Sequence, residues 1–400
     1  MCPPVGITPR SPRPCVLPAT SRATALLRCR CLRFTLLAGP SIGRLPIICC
    51  LVNPAPCLLS SRVTWSMCSN GRTDRRQARQ RCRVPDTVVR PVTIGVLGGT
   101  SWIANEAVIP AINASPGATL GRVGSRSGSI SYADVLADPL VDAVYIALPN
   151  DTHFEWVLAA AAAHKHVLCE KPMGVSQAEV RGMIEACDAA EVLLAEAFMT
   201  PFHPRSLAVD AYLRSGELGE IRHMDAAFTF CLAPGDNYRW LGERGGGALL
   251  DVGIYCLSPL LTAMGGPPSN VAARATVTGT VDGTTAVWLE WPTGATASVV
   301  TSIELAERQS LLVCGTSASL TVDRPFTPGE KDTSFSITHS DGRVERRTTA
   351  GANSYLAMIE AFAAAVHGQA KWPRPLSESV IMAELCDRIR EVASVTGVTP

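Results

Sequence analysis

The stretch IGVLGGTSWIA, Ile94–Ala104, decides the fold class. A short apolar strand ends in two glycines, and an apolar helix begins immediately after them. Glycines at such a turn let the backbone approach a phosphate group, while the start of the helix offers free N–H groups and a positive dipole. The spacing is irregular, because Ser101 and Ala104 stand where the usual fingerprint has its later glycines. The stretch therefore predicts either a phosphate-binding loop or a strand–helix turn whose glycines serve packing alone.

Strand-like and helical runs alternate with short links from Thr93 to Phe198. The β-type run VDAVYIALPN, for example, is followed by the helical run HFEWVLAAAAAHK. This alternation is typical of a parallel sheet that is covered by helices. We therefore predict an α/β fold whose N-terminal part, residues 92–199, is a Rossmann dinucleotide-binding domain.

The pattern changes in the second half of the chain, where β-type segments extend from about Val271 to Thr348. Consecutive strands on tight turns form an antiparallel sheet. Two closing helices are predicted near Ser354–His367 and Ser377–Val395. Residues 200–400 are therefore predicted to form a C-terminal α+β domain with an open antiparallel sheet. The tight turns are predicted at Asp282–Gly283, Thr293–Gly294 and Asp341–Gly342.

The first 91 residues differ in composition from the rest of the 400-residue chain. Met1–Val92 contains 15 arginines, no lysine, two acidic residues and nine of the 15 cysteines. An arginine-rich, acid-poor leader is typical of an organelle transit peptide. The same composition also fits GC-rich DNA translated upstream of the true start, which we favour. In both cases residues 1–91 are predicted to be disordered and to take no part in the chemistry.

The remainder of the chain carries 21 basic and 33 acidic residues, although the net charge of the whole chain is +1. An acidic body offers no basic face to nucleic acid. The apolar run in the leader is interrupted by Arg44 and prolines, which argues against a membrane span. Cysteines and histidines show no metal-ligand spacing, so we expect no metal and a reducing, cytoplasmic location. The later cysteines, expected to be reduced core residues, are Cys169, Cys187, Cys231, Cys256, Cys314 and Cys386.

The end of the second predicted strand distinguishes between nucleotides. An acidic residue there would hold the free ribose 2′-hydroxyl of NAD. Instead the strand ends in Ser125, Arg126 and Ser127, with no acidic residue nearby. An arginine flanked by hydroxyl groups suits a 2′-phosphate, so NADP is the preferred cofactor, although a solvated surface arginine would give the same sequence.

Four motifs occur in a defined order: IALPNDTH, HVLCEKPM, EAFM…FHP and GGGALLDVGIYCLS. Together they resemble the glucose–fructose oxidoreductase/inositol dehydrogenase (Gfo/Idh/MocA) family, from about Thr93 to the C-terminus. The tyrosine form of the Asp-x-Gly-x-Tyr motif, which ends at Tyr255, resembles the branch of dihydrodiol and D-xylose dehydrogenases and nucleotide-sugar ketoreductases. The resemblance implies an enzyme that transfers a hydride between NADP, or NAD, and a CH–OH or C=O group. The substrate class it implies is a sugar, a cyclic polyol or dihydrodiol, or a nucleotide-linked keto-sugar.

The resemblance also implies catalytic roles for Lys171, Tyr255 and Asp251. Lys171 matches the lysine that points at the substrate oxygen, and the peptide bond before Pro172 is expected to be cis. Asp251 and Tyr255, four residues apart on a predicted helix, share one face. We predict that Tyr255 exchanges a proton with the substrate and that Lys171 stabilises the developing alkoxide. Positive charge nearby is expected to lower the pKa of Tyr255.

Residues that bind the two ligands follow from the same resemblance. His153 is expected either to touch the cofactor or to cap the following helix. Arg239 and Trp240 match a loop that walls the substrate pocket, although an arginine on a surface loop is an equal alternative. The predicted cofactor-binding residues are Gly98, Gly99, Thr100, Ser101, Trp102, Ile103, Ser125, Arg126, Pro149, Asn150, His153, Glu170 and Lys171.

The chain departs from the family pattern between Ser127 and Ser131, where a helix of the relatives is missing. This loss uncovers one sheet face near the adenine end of the expected site. It leaves open an alternative function, a catalytically silent dinucleotide-binding regulatory protein on the same fold. The presence of both Lys171 and Tyr255 favours an enzyme, because a sensor needs neither. The resemblance further implies a homodimer or homotetramer formed through the exposed sheet face.

Overall fold

A computed structural model gives the structure of residues 90–233 and 235–398. The predicted disordered leader, residues 1–91, lies outside these described residues except for Arg90 and Pro91. One unit of the chain, Pro85–Pro400, contains both of the sheets described below.

The first sheet contains five parallel strands, and its fold is the predicted Rossmann type. The strands are β1 (Val92–Leu97), β2 (Ala118–Gly124), β3 (Ala143–Ile146), β4 (His166–Glu170) and β5 (Leu194–Ala197). The covering helices are α1 (Ile109–Ala114), α2 (Tyr132–Leu136), α3 (His153–Ala162) and α4 (Gln177–Ala189). The spatial order of the strands is β2-β1-β3-β4-β5. All four residues of β3 are buried, as expected of a parallel strand covered on both faces.

Strand β2 is the open edge of this sheet, because no other strand within residues 90–233 pairs with its outer side. The chain leaves β2 at Gly124 and turns back through a hydrogen bond from Ser125 N to Ile130 O at 3.0 Å. It then enters the five-residue helix α2 directly. The predicted loss of a helix after the second strand is therefore present in the structure.

The second sheet contains nine strands. They are β6 (Ile221–Cys231), β7 (Asn270–Thr278), β8 (Val281–Glu290), β9 (Thr296–Ser302), β10 (Glu304–Gly315), β11 (Ala318–Asp323), β12 (Thr333–His339), β13 (Val344–Thr349) and β14 (Ser394–Val398). Their order is β13-β12-β11-β10-β6-β9-β8-β7-β14. Most neighbours are antiparallel, but β6 pairs with β9 and β7 pairs with β14 in parallel. The predicted open antiparallel sheet is therefore a mixed sheet.

Two of the three predicted turns join neighbouring strands, and one does not. Gly294 and Gly342 have φ values of +81° and +84° in the turns that follow β8 and β12. Asp282–Gly283 instead lies inside β8, and the turn before it falls at Gly279, with φ +62°. The position of this turn was predicted wrongly.

Four helices accompany the second sheet: α5 (Pro204–Arg214), α6 (Ile254–Met264), α7 (Ser354–Val366) and α8 (Leu376–Val392). One continuous apolar cluster runs from the first sheet through these helices to the inner face of the second. The helical stretch Gly242–Met264 is long and apolar enough to cross a membrane by composition, but most of it is buried within the protein. The later cysteines are all free, as expected, but only four of the six are buried: Cys231 is exposed and Cys314 is half-buried.

Candidate active site at the carboxyl ends of the first sheet

A cavity of about 1220 Å³ opens at the carboxyl ends of the parallel strands and extends to the start of α6. Ligand pockets in proteins usually measure about 300–1,000 Å³, so this cavity has room for two ligands. Most of the predicted site residues line it. They are Gly98, Thr100, Ser101, Trp102, Ile103, Ser125, Arg126, Pro149, Asn150, Glu170, Lys171, Arg239, Asp251 and Tyr255. Gly99, His153 and Trp240 are not part of the lining.

The glycine loop after β1 is shaped by packing as well as by its place in the cavity. Gly98 has φ +114°, and a Cβ atom there would lie 2.3 Å from the carbonyl oxygen of Ala147. A Cβ atom at Gly99 would lie 2.7 Å from Val123. The glycines therefore let the loop pass between its neighbouring strands. The residues after them, Thr100–Ile103, line the cavity and lead into a π-helical turn, Ala104–Val108.

The far end of the cavity is formed by the end of β2. Ser125, Arg126 and Ser127 line it, and the exposed Arg126 forms no ion pair with any described residue. Trp102 projects from the glycine loop with 74% of its surface exposed. Trp156 contributes to the same cavity and packs edge-to-face on Tyr132 at 4.9 Å. The open edge of the sheet thus carries an unpaired cation beside aromatic side chains.

Lys171 lies in a tight turn directly after β4. The Lys171–Pro172 peptide bond is cis, as predicted. Three groups hold this turn: the His153 ring contacts the carbonyl oxygen of Pro172 at 2.9 Å, Glu196 accepts a hydrogen bond from Met173 N, and Cys169 Sγ contacts the carbonyl oxygen of Met173. The turn directs the Lys171 side chain towards the start of α6.

Lys171, Asp251 and Arg239 form a buried charged triad. Lys171 Nζ donates to the carbonyl oxygen and to Oδ1 of Asp251 at 2.8 and 3.2 Å, while Arg239 Nε donates to Oδ2 at 2.7 Å. Burial alone would raise the pKa of Asp251, but the charges of Lys171 and Arg239 lower it below its usual value. One carboxylate faces two cations, so the triad keeps a net positive charge beside the cavity.

Tyr255 stands next to this triad, with Lys171 Nζ 5.1 Å from the centre of its ring. Its hydroxyl points at Met199 Sδ at 3.8 Å and has no stronger hydrogen-bond partner among the described residues. Burial, followed by the negative charges of Glu170 and Asp251, raises the pKa of Tyr255 well above its usual value. The expected lowering by nearby positive charge was wrong, because the residue is far more buried than its sequence position suggested.

Glu170 is a second buried carboxyl group on the cavity wall. Its Oε1 accepts a hydrogen bond from the Tyr145 hydroxyl at 2.6 Å, and its Oε2 accepts one from Lys171 N at 3.2 Å. Burial raises the pKa of Glu170 to about 7, even though these hydrogen bonds and the charge of Lys171 act against the rise. The charge of this wall therefore changes near neutral pH.

The side chains of three predicted site residues form hydrogen bonds with backbone carbonyl oxygens of the protein. Both ring nitrogens of the buried His153 face carbonyl oxygens, those of Pro172 and Leu148, at 2.9 Å. Asn150 donates to the carbonyl oxygen of Gly245 at 2.8 Å while it lines the cavity. Trp240 lies outside the lining, and its Nε1 donates to the carbonyl oxygen of Ala233. The alternative that His153 caps the following helix is wrong, because α3 begins at His153 itself and has no side-chain cap, while the predicted contact with the cofactor stays a prediction.

Sequence reasoning missed several residues of the cavity wall. The most prominent are Tyr238, Tyr355, Trp156 and Met199. Tyr238 is the neighbour of the predicted Arg239, and Met199 belongs to a quoted motif, so both had a local signal. Tyr355 comes from α7, a hundred residues beyond Tyr255, and no sequence pattern links the two.

Two family models match the chain. One is the oxidoreductase family NAD-binding Rossmann fold, over residues 95–198, and the other is the GFO/IDH/MocA C-terminal domain, over residues 206–321. D-xylose 1-dehydrogenase (NADP(+)) 2 of Haloferax volcanii is 36% identical over 317 residues, which cover 75% of this chain and 96% of the relative. The matches thus extend over both sheets.

Two further proteins represent the keto-sugar branch. The dTDP-3,4-didehydro-2,6-dideoxy-alpha-D-glucose 3-reductase of Streptomyces violaceoruber is 31% identical over 337 residues, 78% of this chain and 98% of the relative. The crystal structure of KijD10, a 3-ketoreductase from Actinomadura kijaniata in complex with NADP and TDP-benzene, has a TM-score of 0.71 at 28% identity. That comparison covers 77% of this chain and all of the other.

Proposed function

The chain belongs to the GFO/IDH/MocA family of oxidoreductases, and from this premise we propose that it is an NADP-dependent dehydrogenase or reductase. It transfers a hydride between the nicotinamide and a CH–OH or C=O group of the substrate. The substrate is a sugar, a cyclic polyol or dihydrodiol, or a nucleotide-linked keto-sugar. The sugar classes are supported by the xylose dehydrogenase and keto-sugar reductase among its relatives.

One observation carries the proposal: a single cavity joins the glycine loop to Lys171, Asp251 and Tyr255. A dinucleotide along the carboxyl ends of a parallel sheet has its phosphates at the first strand–helix turn. The same cavity continues to a cation, Lys171, whose Nζ lies 5.1 Å from the centre of the Tyr255 ring. This continuity is what hydride transfer requires, since cofactor and substrate must meet in one space.

The choice of NADP over NAD rests on Arg126. This arginine lines the cavity at the end of β2, has no acidic partner among the described residues and is flanked by Ser125 and Ser127. A guanidinium and two hydroxyl groups fit a 2′-phosphate, whereas no carboxylate is present there to hold a 2′-hydroxyl. The residues present therefore fit NADP.

At the nicotinamide end of the cavity, Tyr255 transfers a proton and Lys171 stabilises negative charge on the substrate. When bound, NADPH supplies the hydride. In the reducing direction Tyr255 donates its hydroxyl proton to the carbonyl oxygen of the substrate, because burial keeps the tyrosine protonated. Lys171, with the net positive charge of its triad, stabilises negative charge on that oxygen before the proton arrives. In the oxidising direction the same groups act in reverse.

Cofactor titration tests the proposal most directly. NADPH and NADH are titrated into the full chain while tryptophan fluorescence is followed, since Trp102 and Trp156 line the cavity. We expect saturable binding with a preference for NADPH, and Arg126→Ala is expected to abolish most of this preference. Arg181→Ala, an exposed arginine on α4 outside the cavity, is the matched control. A variant that keeps the full preference for NADPH would contradict the role of Arg126.

Turnover is then measured with NADP and D-xylose, related aldoses and cyclic diols. Oxidation that is lost in Lys171→Ala, with cofactor binding preserved, supports the proposed reaction. Cofactor binding without turnover of any of these classes, or of keto-sugar nucleotides with NADPH, would instead support the silent dinucleotide-binding protein.

The proposal includes a cytoplasmic, homo-oligomeric protein. The outer face of the second sheet is supported as the contact surface by Trp288, which is 42% exposed on β8, an interior strand of that sheet. Trp288→Glu is expected to reduce the molecular mass measured by light scattering. Leu140→Glu, at a residue 73% exposed in the first domain, is expected to leave it unchanged.

A further inference from the structure

A second cavity of about 430 Å³ lies on the far side of Tyr255, among α5, α6 and α7. Its volume is typical of a small-molecule pocket. Its walls are largely apolar, with Val209, Leu311 and Phe326 on one side and the small residues Ala357 and Ala361 of α7 on the other. Nothing in the proposed reaction uses this space.

Arg374 brings an incompletely partnered cation to the cavity wall. Its side chain is 10% exposed and lies over the ring of Phe198 at 4.6 Å. Nε donates to Glu378 at 3.3 Å, but buried Nη1 has no hydrogen-bond partner and is 4.0 Å from Glu196, beyond hydrogen-bond distance. Nη2 forms no hydrogen bond with the described residues either. Nη1 is enclosed by the protein, so Nη2 is the donor available to a carboxylate ligand in the cavity.

Asp210 faces the same cavity and has no hydrogen-bond partner among the described residues. Burial raises the pKa of Asp210 to about 6 and Glu378 of α8 adds to the rise, whereas Arg214 of α5 and Arg374 oppose it. At lower pH the neutral form of Asp210 would no longer repel an anion and could donate a proton to it. The wall carries three arginines, Arg205, Arg214 and Arg374, against the two carboxyl groups of Asp210 and Glu378, so its net charge favours an anion, most strongly when Asp210 is neutral.

A cluster of aromatic side chains contributes to the walls of both cavities. Tyr255 lines both, and its ring packs on Phe198 at 5.0 Å, Phe228 at 5.4 Å and Phe326 at 6.1 Å. Phe228 belongs to the wall of the first cavity, while Phe198 and Phe326 belong to that of the second. A molecule in the second cavity would therefore contact Tyr255, a residue that also lines the first.

We propose that this second cavity is an accessory binding site for a small carboxylate with an aryl or branched alkyl body. The carboxylate pairs with Arg374, and the apolar body rests on Val209, Leu311 and Phe326. Because Tyr255 forms part of the wall, a carboxylate bound in the second cavity changes the position of the Tyr255 hydroxyl. The binding event is independent of the proposed reaction, and only its effect on turnover rests on that proposal.

Calorimetric titration of the full chain with benzoate, phenylacetate and 3-methylbutanoate tests the site. We expect saturable binding of at least one of them, and at least tenfold weaker binding of the corresponding amide. Arg374→Gln removes the cation, and Ala361→Leu fills the cavity without touching an ion pair. Both variants are expected to weaken binding at least tenfold, so the result does not depend on the folding of one variant alone.

Lys171→Ala and Arg181→Ala are the controls, the first in the other cavity and the second outside both. Binding that is lost in Lys171→Ala and retained in Ala361→Leu would place the carboxylate in the first cavity and overturn the proposal. Equal binding of the amides, or no binding of any of the three carboxylates, would overturn it as well. Asp210→Asn is expected to remove the tightening of binding that the wild type shows between pH 8 and pH 6.

The effect on Tyr255 is read from NADPH binding and from turnover with and without the carboxylate. A change of kcat that disappears in Ala361→Leu supports communication through the aromatic wall. If the chain binds the carboxylate but has no measurable turnover, the site stands and the proposed function fails. If turnover is present but unaffected at saturation, the communication through Tyr255 is overturned.

Discussion

Asp251 is a buried carboxylate that holds two cations, and this arrangement defines the electrostatics of the candidate active site. Removing one partner of a buried ion pair typically costs about 3–5 kcal/mol, because it leaves an uncompensated charge. Asp251 therefore fixes Lys171 and Arg239 while neutralising only one of them. The remaining positive charge is available to an oxyanion in the cavity. Arg239 is held by Asp251 while it lines the cavity, which argues against the alternative of a solvated surface arginine, and its contact with substrate stays a prediction.

The Tyr255 hydroxyl gives the sharpest test at the scale of single residues. Tyr255→Phe is expected to lower kcat about 10²- to 10⁴-fold, the usual contribution of a general acid or base. NADPH affinity should change little, since the hydroxyl contacts only Met199 Sδ. The measurement is steady-state turnover together with cofactor titration.

Tyr212→Phe is the matched control, because this tyrosine is also buried and its hydroxyl has no hydrogen-bond partner among the described residues. It lies outside the cavity, so kcat should be unchanged. Equal kcat values for the two variants would exclude proton transfer by Tyr255.

His153 is a positioning residue for Lys171. Its ring joins the loop after β3 to the Lys171–Pro172 turn through carbonyl oxygens on both sides. Burial lowers the pKa of His153, so its ring is neutral and donates one N–H to a carbonyl oxygen. His153→Phe keeps a ring but leaves that acceptor without a donor, at a cost of about 1–3 kcal/mol. We expect a lower free energy of unfolding and, per folded molecule, a fall in kcat with little change in cofactor affinity.

His203→Phe distinguishes this role from a general loss of stability. His203 is also fully buried and bonded to the backbone at both ring nitrogens, but it lies outside the first cavity. The His203→Phe variant should therefore have a lower free energy of unfolding but the same kcat as wild type. A His153 variant that behaves like the His203 variant would show that His153 has a structural role only.

At the scale of elements, the turn that begins the Asp251–Tyr255 segment is fixed by a strand of the second sheet. Asp282 in β8 accepts a hydrogen bond from Leu249 N at 2.8 Å, at the start of a π-helical turn, Leu249–Gly253. Gly247, with φ +105°, approaches so closely that a Cβ atom there would lie 1.9 Å from Asp282 Oδ1. The position of Asp251 therefore depends on this close approach.

Gly247→Ala is expected to lower the free energy of unfolding by at least about 2 kcal/mol and to reduce kcat. Gly294→Ala has a similarly positive φ of +81°, with nothing within 4 Å of the added atom. The Gly294→Ala variant therefore introduces backbone strain without a steric clash. It should be destabilised less than Gly247→Ala and should keep the activity of the wild type. Chemical denaturation and turnover measure both effects. An unchanged kcat in Gly247→Ala would show that the position of Asp251 does not depend on the close approach of Gly247 to Asp282.

The same strand shows where sequence reasoning succeeds and where it fails. Local patterns predicted the alternating elements of the first sheet, because each strand and helix has its own periodicity. Asp282–Gly283 was read as a turn since the dipeptide favours one, but the Asp282 side chain bonds to Leu249 and Thr285 from within the strand. The parallel pairing of β14 with β7 joins segments more than a hundred residues apart and has no local signature. Tyr355 and the burial of Tyr255 depend on such distant packing too.

At the scale of the whole molecule, the ionisable groups of the two cavities, Glu170, Asp210 and Asp251 among them, are removed from solvent to a large extent by the surrounding protein. The direction of each pKa shift cannot be read from the sequence. Burial raises the pKa of Glu170 and Asp210, whereas the charges of Lys171 and Arg239 lower the pKa of Asp251. Stability must therefore depend on pH through individual groups, in opposite directions. Glu170 is the group for which this dependence is easiest to isolate.

The pKa of Glu170 is raised from 4.5 to about 7 in the folded protein. The folded state therefore binds more protons than the unfolded state between these values, so the unfolding free energy falls as pH rises through this window. The difference corresponds to about 3 kcal/mol. Below pH 4.5 the neutral carboxyl group of Glu170 makes its full contribution to the unfolding free energy. Above pH 7 that contribution has been lost and the unfolding free energy no longer changes through this group.

Glu170→Gln should remove this part of the pH dependence, since the amide stays neutral and can still accept the Tyr145 hydrogen bond. The measurement is urea denaturation of both proteins from pH 5 to pH 8. Wild type should lose stability relative to the variant as pH rises, with most of the change complete by pH 7.5. Glu106→Gln, an exposed residue of the first helical turn, should run parallel to wild type. If Glu170→Gln is parallel as well, the buried carboxyl group is not neutral in the folded protein, and the charge of the cavity wall would not change near neutral pH.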